Sequence, residues 1–322
     1  MIETLFHAYT PLLLWTGLGI LSFRFLPTNF PRFLGRSLYW VGVPWQILAL
    51  ARQTDFSHQV GLAPAITIAT LATGLLLAWV ALQGLMALTT RKMEGIEFLK
   101  DWIPPLDRAH QGTLIIASTI GNTGFVGLGI IPALLTTGDM SWAVFFSVTQ
   151  NLIGTYGIGV LIASYYGRSQ QTSYWGLLRD LVTVPTLWTF AIGYATQSVP
   201  FPNWAEVAID SSLLFVIPAS FLLMGMRLSQ LKGLPSLQTT LLPVVLKVVL
   251  LPTLVGIGTT LLGLSGDPRL SLVLMAGMPS AFASLILAEE YDLDRDLAAS
   301  SIALSTIVLL LMVPVWLAVF GS

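Results

Sequence analysis

Cysteine is absent from all 322 residues, which removes disulfides and thiolate metal sites and leaves the redox compartment undetermined. Charge is scarce as well. Only 10% of residues are charged, against about 25% in an ordinary soluble protein. With 55% hydrophobic residues and a mean hydropathy of +0.79, the chain cannot clothe itself in polar surface. Hydrocarbon must cover much of its exterior. The net charge of −1 offers no basic field, so a nucleic-acid partner is not expected. The three histidines, His7, His58 and His110, are too scattered for a zinc site. No stretch fits G-x-x-x-x-G-K-[ST], so no nucleotide-driven machinery is indicated. The basic flank of a secretory signal is missing too, since Glu3 is the only fixed charge before Arg24. The first apolar run therefore reads as a span that stays in the protein.

What the chain does have is apolar runs of membrane-crossing length, which takes about 20 residues. Ten are expected: 4–23, 35–51, 60–88, 109–136, 141–167, 178–198, 206–226, 237–262, 270–288 and 296–320. Arg36, Arg52, Glu206 and Asp210 crowd the ends of the second and seventh. Short cytoplasmic loops collect Lys and Arg. Twelve of the fifteen cations fall in the loops after runs 1, 3, 5, 7 and 9, only Arg52 and Arg269 fall in the others, and Lys247 lies inside run 8. This partition places both termini outside, with the cell membrane as the expected location. Trp15, Trp102, Trp142 and Trp204 read mostly as interface anchors.

An odd number of spans per half makes two copies enter the membrane from opposite sides. The predicted fold is therefore all-α and integral to the membrane, with ten helices in two inverted five-helix repeats, 1–170 and 171–322. Pro44 and Pro218 mark the second helix of each half.

The fourth and ninth runs carry breaks. In the fourth, Gly121, Gly124, Gly127, Gly129, Asn122 and Pro132 fall within twelve residues; in the ninth, Gly277 and Pro279 stand among Met278, Ser280, Ala281 and Ser284. Glycine weakens a helix interior, and proline removes a hydrogen bond and clashes with the preceding turn. Broken backbone cannot face lipid, because its free N–H and C=O groups would lack partners. Each break exposes a half-helix N-terminus with partial positive charge. Two such ends pointing together favour an anion, above all a carboxylate. The plainer reading is close packing through small residues plus a tolerated kink.

At these positions the chain resembles the auxin efflux carrier family, which includes plant auxin efflux carriers and bacterial carriers of malonate or malate. Gly121-Asn122-Thr123-Gly124-Phe125-Val126-Gly127 is similar to that family's fourth-helix motif. Met278-Pro279-Ser280-Ala281, then Ala288-Glu289-Glu290-Tyr291-Asp292, then Ser305 and Pro314, resemble its ninth and tenth helices. Ile217 to Gly225 resembles the seventh, and Gln150 and Tyr156 the fifth. The resemblance implies a scaffold of helices 1, 2, 6 and 7, joined in a homodimer, and a transport domain of helices 3–5 and 8–10 whose unwound helices 4 and 9 cross at mid-membrane. It implies a secondary transporter, not an enzyme; no cofactor is expected, and H+ and Na+ are the candidate coupling ions. Two departures stand out. Gly121 replaces the crossing proline of many relatives, which predicts a softer break, and the long hydrophilic loop of plant members is missing.

The candidate substrate-binding residues are Gly121, Asn122, Thr123, Gly124, Gln150, Lys247, Met278, Pro279, Ser280 and Ser284. Asn122 and Ser280 would contact an anion or replace lost backbone partners. Burying Lys247 in a span costs about 3 kcal/mol or more. It would neutralise a substrate carboxylate, pair with Asp210 or Glu289, or snorkel to the interface. Glu289 is the candidate ion-coupling carboxylate, while Glu290 reads as solvated and Asp210 as interfacial. Gln150 and Asn151 would bond across helices. Two other functions compete with carriage of a small organic anion. A sodium-coupled bile-acid-type symporter would need more carboxylate and amide ligands at the breaks. An intramembrane enzyme would need a pair such as Ser284 and Lys247.

Overall fold

The computed structural model describes residues 2–53, 61–90, 106–135, 140–167, 175, 185–230 and 237–321. His58, Trp102, the loop cations Arg91, Lys92, Lys100, Arg168, Arg179 and Lys232, and the start of the sixth run lie outside the described residues. Among those described, all regular elements are helical.

Among the described residues six helical stretches are long and apolar enough to cross a bilayer: Leu5–Phe23, Leu62–Leu88, Ser141–Tyr166, Asn203–Ser229, Thr239–Leu261 and Arg295–Phe320. They coincide with runs 1, 3, 5, 7, 8 and 10. Helix α1 is Ile2–Phe23. The helix α2 (Phe30–Ser37) continues through a wide turn, Leu38–Gly42, into α3 (Val43–Gln53). This second run is helical over a longer stretch than expected and carries Arg32, Arg36 and Arg52, so it is less uniformly apolar than the six. Helix α4 (Leu62–Thr90) holds 29 residues without a charge, about 43 Å at 1.5 Å per residue.

The fourth run breaks in two, as α5 (Arg108–Thr119) and the short helical piece Thr123–Ala133. The fifth comprises α6 (Ser141–Thr149), a wide-turn stretch Gln150–Gly159 and α7 (Val160–Tyr166). Then come α8 (Pro185–Ala195), α9 (Asn203–Asp210) and α10 (Ser212–Ser229). The eighth run is α11 (Leu237–Val245), a wide turn Leu246–Leu250, and α12 (Leu251–Leu261). The ninth also breaks, into α13 (Gly266–Ala276) and α14 (Phe282–Glu290), and α15 (Arg295–Phe320) closes the chain.

Pro252 explains the wide turn before it: its missing N–H would have bonded to Val248 four residues back, and the looser coil absorbs the lost partner.

Two sets of closely packed helices position the site. Helix α1 lies along α10, and α3 along α8. The first pair touch backbone to backbone, because a Cβ on Gly225 would fall 1.9 Å from the Thr16 carbonyl and one on Gly19 would fall 2.1 Å from that of Leu222. Small residues at such a seam let helices approach where no hydrophobic drive exists. At one end of α3, Arg52 donates to the Thr196 carbonyl at 2.5 Å and to Glu206 at 2.6 Å, with Phe201 stacked beneath it. Gln53 holds Asp210 at 2.6 Å.

The second group surrounds α13. Residues 267 and 269–276 of that helix are buried, so it touches protein on every side, packing against α4, α6, α12 and α15. A helix apolar all round belongs in an interior. Outward faces carry Leu13, Leu14, Leu76, Trp79, Ile257 and Leu311, all exposed, as a lipid-facing surface requires. Trp204 is 76% exposed, as an anchor needs, but Trp142 is 5% exposed and belongs to the core, because α6 is enclosed by its neighbours.

Candidate functional site

Both breaks are complete. Helix α5 ends where Ile120 turns extended (ψ 118°) and Asn122 leaves helical geometry (ψ 62°). The Gly121 break is thus no softer than the proline one. Helix α13 ends at Ala276, and α14 starts after extended Ala281.

The freed backbone groups find one another. Gly121 and Ser280 form a single antiparallel bridge. The Asn122 N–H donates to the Pro279 carbonyl at 2.7 Å, and the Ala281 N–H to the Ile120 carbonyl at 3.0 Å. Side chains supply the rest. Gln150 Nε2 donates to the Gly121 carbonyl at 2.7 Å, Ser280 Oγ to the Ala117 carbonyl at 2.8 Å, and the Ser280 N–H to Ser305 Oγ at 3.0 Å. These bonds answer the demand that buried backbone be paired.

Around this meeting point lies a pocket of about 60 Å³. Asn122, Thr123, Gly124 and Phe125 line one side, and Ala281, Phe282 and Ala283 another. Those are the first residues of two helical pieces, Thr123–Ala133 and α14. Two helix N-termini therefore open on one space. Asn122 caps the first, its Oδ1 accepting from the Phe125 N–H at 3.4 Å. Each such terminus favours an anion by about 0.3–1 kcal/mol when exposed and about 2 kcal/mol when partly buried. Asn151, Thr155, Tyr156, Leu223 and Arg227 complete the wall.

A larger vestibule of about 500 Å³ adjoins it, sharing Gly35, Tyr156, Arg227 and Ile286. Arg32, Arg36, Glu289 and Glu290 line its outer part. Arg227 thus faces both spaces. Its guanidinium lies 3.8 Å from Glu289, and Arg32 lies 3.7 Å from the same carboxylate. Among the described residues no carboxylate lines the inner pocket.

The candidate residues separate into two sets. Asn122, Thr123, Gly124 and the backbone of Gly121 border the pocket. Gln150, Met278, Pro279, Ser280 and Ser284 do not; their polar groups serve backbone or neighbouring side chains, as with Ser284 Oγ, which donates to the Ala281 carbonyl at 2.5 Å. Lys247 is fully buried and lines neither space. Its Nζ donates to the Ala276 carbonyl at 2.5 Å. It pairs with neither Asp210, held by Gln53, nor Glu289, held between arginines, and it does not snorkel. Nor does it meet Ser284, so that pair has no shared geometry. Arg227 and Phe282 were not singled out by the sequence. Arg227 counted only as a loop cation, and nothing local in the chain brings residue 227 beside residue 122.

Residues 60–317 match the protein family described as "Membrane transport protein". The chain belongs to that family. It is the auxin efflux carrier family whose motifs appear at the two breaks. The chain is also similar to an uncharacterized transporter of Methanothermobacter thermautotrophicus, 25% identical over 284 residues, which is 88% of this chain and 87% of that one. An uncharacterized transporter of Methanocaldococcus jannaschii is 25% identical over 210 residues, 64% of this chain and 67% of the relative. Family membership makes this a transport protein of the membrane, not an enzyme.

Proposed function

We propose that this chain is a secondary active transporter of a small organic anion, a mono- or dicarboxylate, which binds where the two interrupted helices cross. One observation carries the reading: two helix N-termini and Arg227 line a single pocket with no carboxylate among its described lining residues. Partial charges and a full cation then act together on an anion bound there. The vestibule supplies a path to it.

The inverted repeat fits the packing. Exchanging the halves turns the α1–α10 contact into α8–α3, and α4–α5 into α12–α13. It turns α4–α6 into α11–α15, and α5–α15 into α13–α6. Each of these contacts exists. Alternating access would then be rocking of spans 3–5 and 8–10 against a scaffold of spans 1, 2, 6 and 7, with the scaffold also joining two copies. The arginine-lined vestibule faces the cytoplasm by the charge rule. At the other end Gly129 lies tight against Phe221 and Ile217, and Ile131–Ala133 packs on α1, which closes that side. The conformation is inward-facing on this reading. An ion gradient or the membrane potential would drive transport.

The test is uptake of labelled carboxylates into proteoliposomes. Wild-type protein should accumulate one or more of them, and Asn122→Ala should abolish flux while the protein stays folded, since losing a cap costs only about 1 kcal/mol. Wild-type flux in that variant removes the pocket from the mechanism. A panel transporting only neutral solutes removes the anion assignment.

A further inference from the structure

Lys247 is a fully buried lysine without a carboxylate partner among the described residues. Burying a charge is expensive unless something compensates it. The compensation here is backbone. Ala276 is the last residue of α13, and its carbonyl accepts from Lys247 Nζ at 2.5 Å. The end of a helix carries partial negative charge, so an ammonium is suited to it. The opposite break makes room. A Cβ on Gly121 would lie 2.9 Å from both Cε and Nζ of Lys247. The ammonium therefore sits between the two breaks, bonded to one and packed on the other. The wide turn Leu246–Leu250 presents it there, a coil distortion that recurs at functional positions.

Unwound carbonyls and half-helix C-termini are the groups that hold coupling cations in interrupted-helix carriers. At the first break such carbonyls are served by neutral donors: Ser280 Oγ for Ala117, the Ala281 N–H for Ile120, and Gln150 for Gly121. At the second the donor is the amine of a lysine. We infer that the Lys247 ammonium is a tethered cation, occupying the seat that an alkali ion would otherwise take at the end of α13. The protein carries its own counter-charge, and transport draws nothing from a sodium gradient. This rests on the carrier reading for its meaning, but not for its test.

The test is thermal unfolding of the full chain in lipid nanodiscs, with sodium chloride titrated against choline chloride at constant ionic strength. Wild-type protein should melt at the same temperature in both. Lys247→Ser empties the seat, and its melting temperature should be lower in choline and rise saturably with sodium. Lys247→Met fills the same space with an apolar chain and should ignore sodium. A saturable sodium shift in wild type overturns the inference, as does identical behaviour of the serine and methionine variants. Should Lys247→Ser not fold, Lys247→Thr takes its place, short enough to leave the Ala276 carbonyl unserved, and must show the sodium response. No substrate enters these measurements. A carrier that moves no carboxylate would leave them unchanged, and a sodium-binding wild type would leave carboxylate transport standing.

Discussion

At Gly121 the absence of a side chain is a structural requirement. A methyl there would overlap the pinned end of Lys247 and stand 3.2 Å from the Met278 carbonyl. The lysine can retreat only by giving up its bond to Ala276. Gly121→Ala should therefore cost about 1–3 kcal/mol, as overpacking does, read as a lower melting temperature together with reduced uptake. Wild-type values would mean that the ammonium is not fixed where it lies. Arg227 behaves differently, because it lines both spaces while its guanidinium donates to Gln230 at 3.2 Å. Arg227→Gln should raise the KM of a carboxylate about tenfold, the equivalent of about 1.4 kcal/mol, and barely change that of an uncharged analogue; equal effects on both would make it structural. Glycine, asparagine and proline at the breaks were legible in sequence because each acts on its own backbone. Arg227 was not, because its importance comes from a neighbour more than a hundred residues away. The meaning of Lys247 lay between the two cases. The sequence gives a cation inside a span, but whether it meets substrate, carboxylate or backbone depends on tertiary placement.

At the scale of elements, caps and seams can be tested separately. Asp294 starts α15, accepting from the Leu297 N–H at 2.9 Å, and also meets His110 Nδ1 of α5 at 2.9 Å. The hydrogen bond with His110 is the main reason its carboxyl is held below the usual carboxylate range, and the Leu297 bond adds to this against the opposing effect of burial. A depressed carboxylate stabilises the fold above its unfolded value, near pH 4, and that contribution is lost as pH falls through the folded value. Asp294→Asn keeps a capping oxygen but gives up the charge. Its melting temperature should lie below wild type at pH 7, by the equivalent of about 1 kcal/mol, and the gap should close below about pH 4. A gap that persists in acid would assign the loss to packing. The seam between α1 and α10 has no such pH dependence. Gly225→Leu must separate two backbones already in contact, so little folded protein should be recovered from the membrane at any pH. The long helices behind these details were visible as uncharged runs. The second run reads short in sequence because Arg32 looks like a loop residue; in the structure Arg32 lies in the helix and lines the vestibule.

For the whole molecule, the question is what holds one half against the other in this conformation. Helix α14 belongs to the group around α13, whereas Arg32 and Arg227 belong to α2 and α10. Glu289 lies 3.7 and 3.8 Å from those arginines, beyond the 2.7–2.9 Å of a charge-assisted hydrogen bond. Such loose, partly solvated pairs are worth about 0–1 kcal/mol. That is enough to bias two conformations without locking either. On the alternating-access reading Glu289 would be a strap across the vestibule mouth, formed while the mouth is in this state. Because the chain has no native cysteine, Ala283→Cys puts a unique thiol in the inner pocket wall. Adding Glu289→Gln removes the strap and lowers the population of the conformation that exposes this thiol on the arginine side. Labelling by a membrane-impermeant maleimide from that side should slow by about twofold, the equivalent of about 0.4 kcal/mol, with the melting temperature almost unchanged. Faster labelling would mean that the three charges hold the mouth shut, and the two halves would then open by releasing Glu289, not by capturing it.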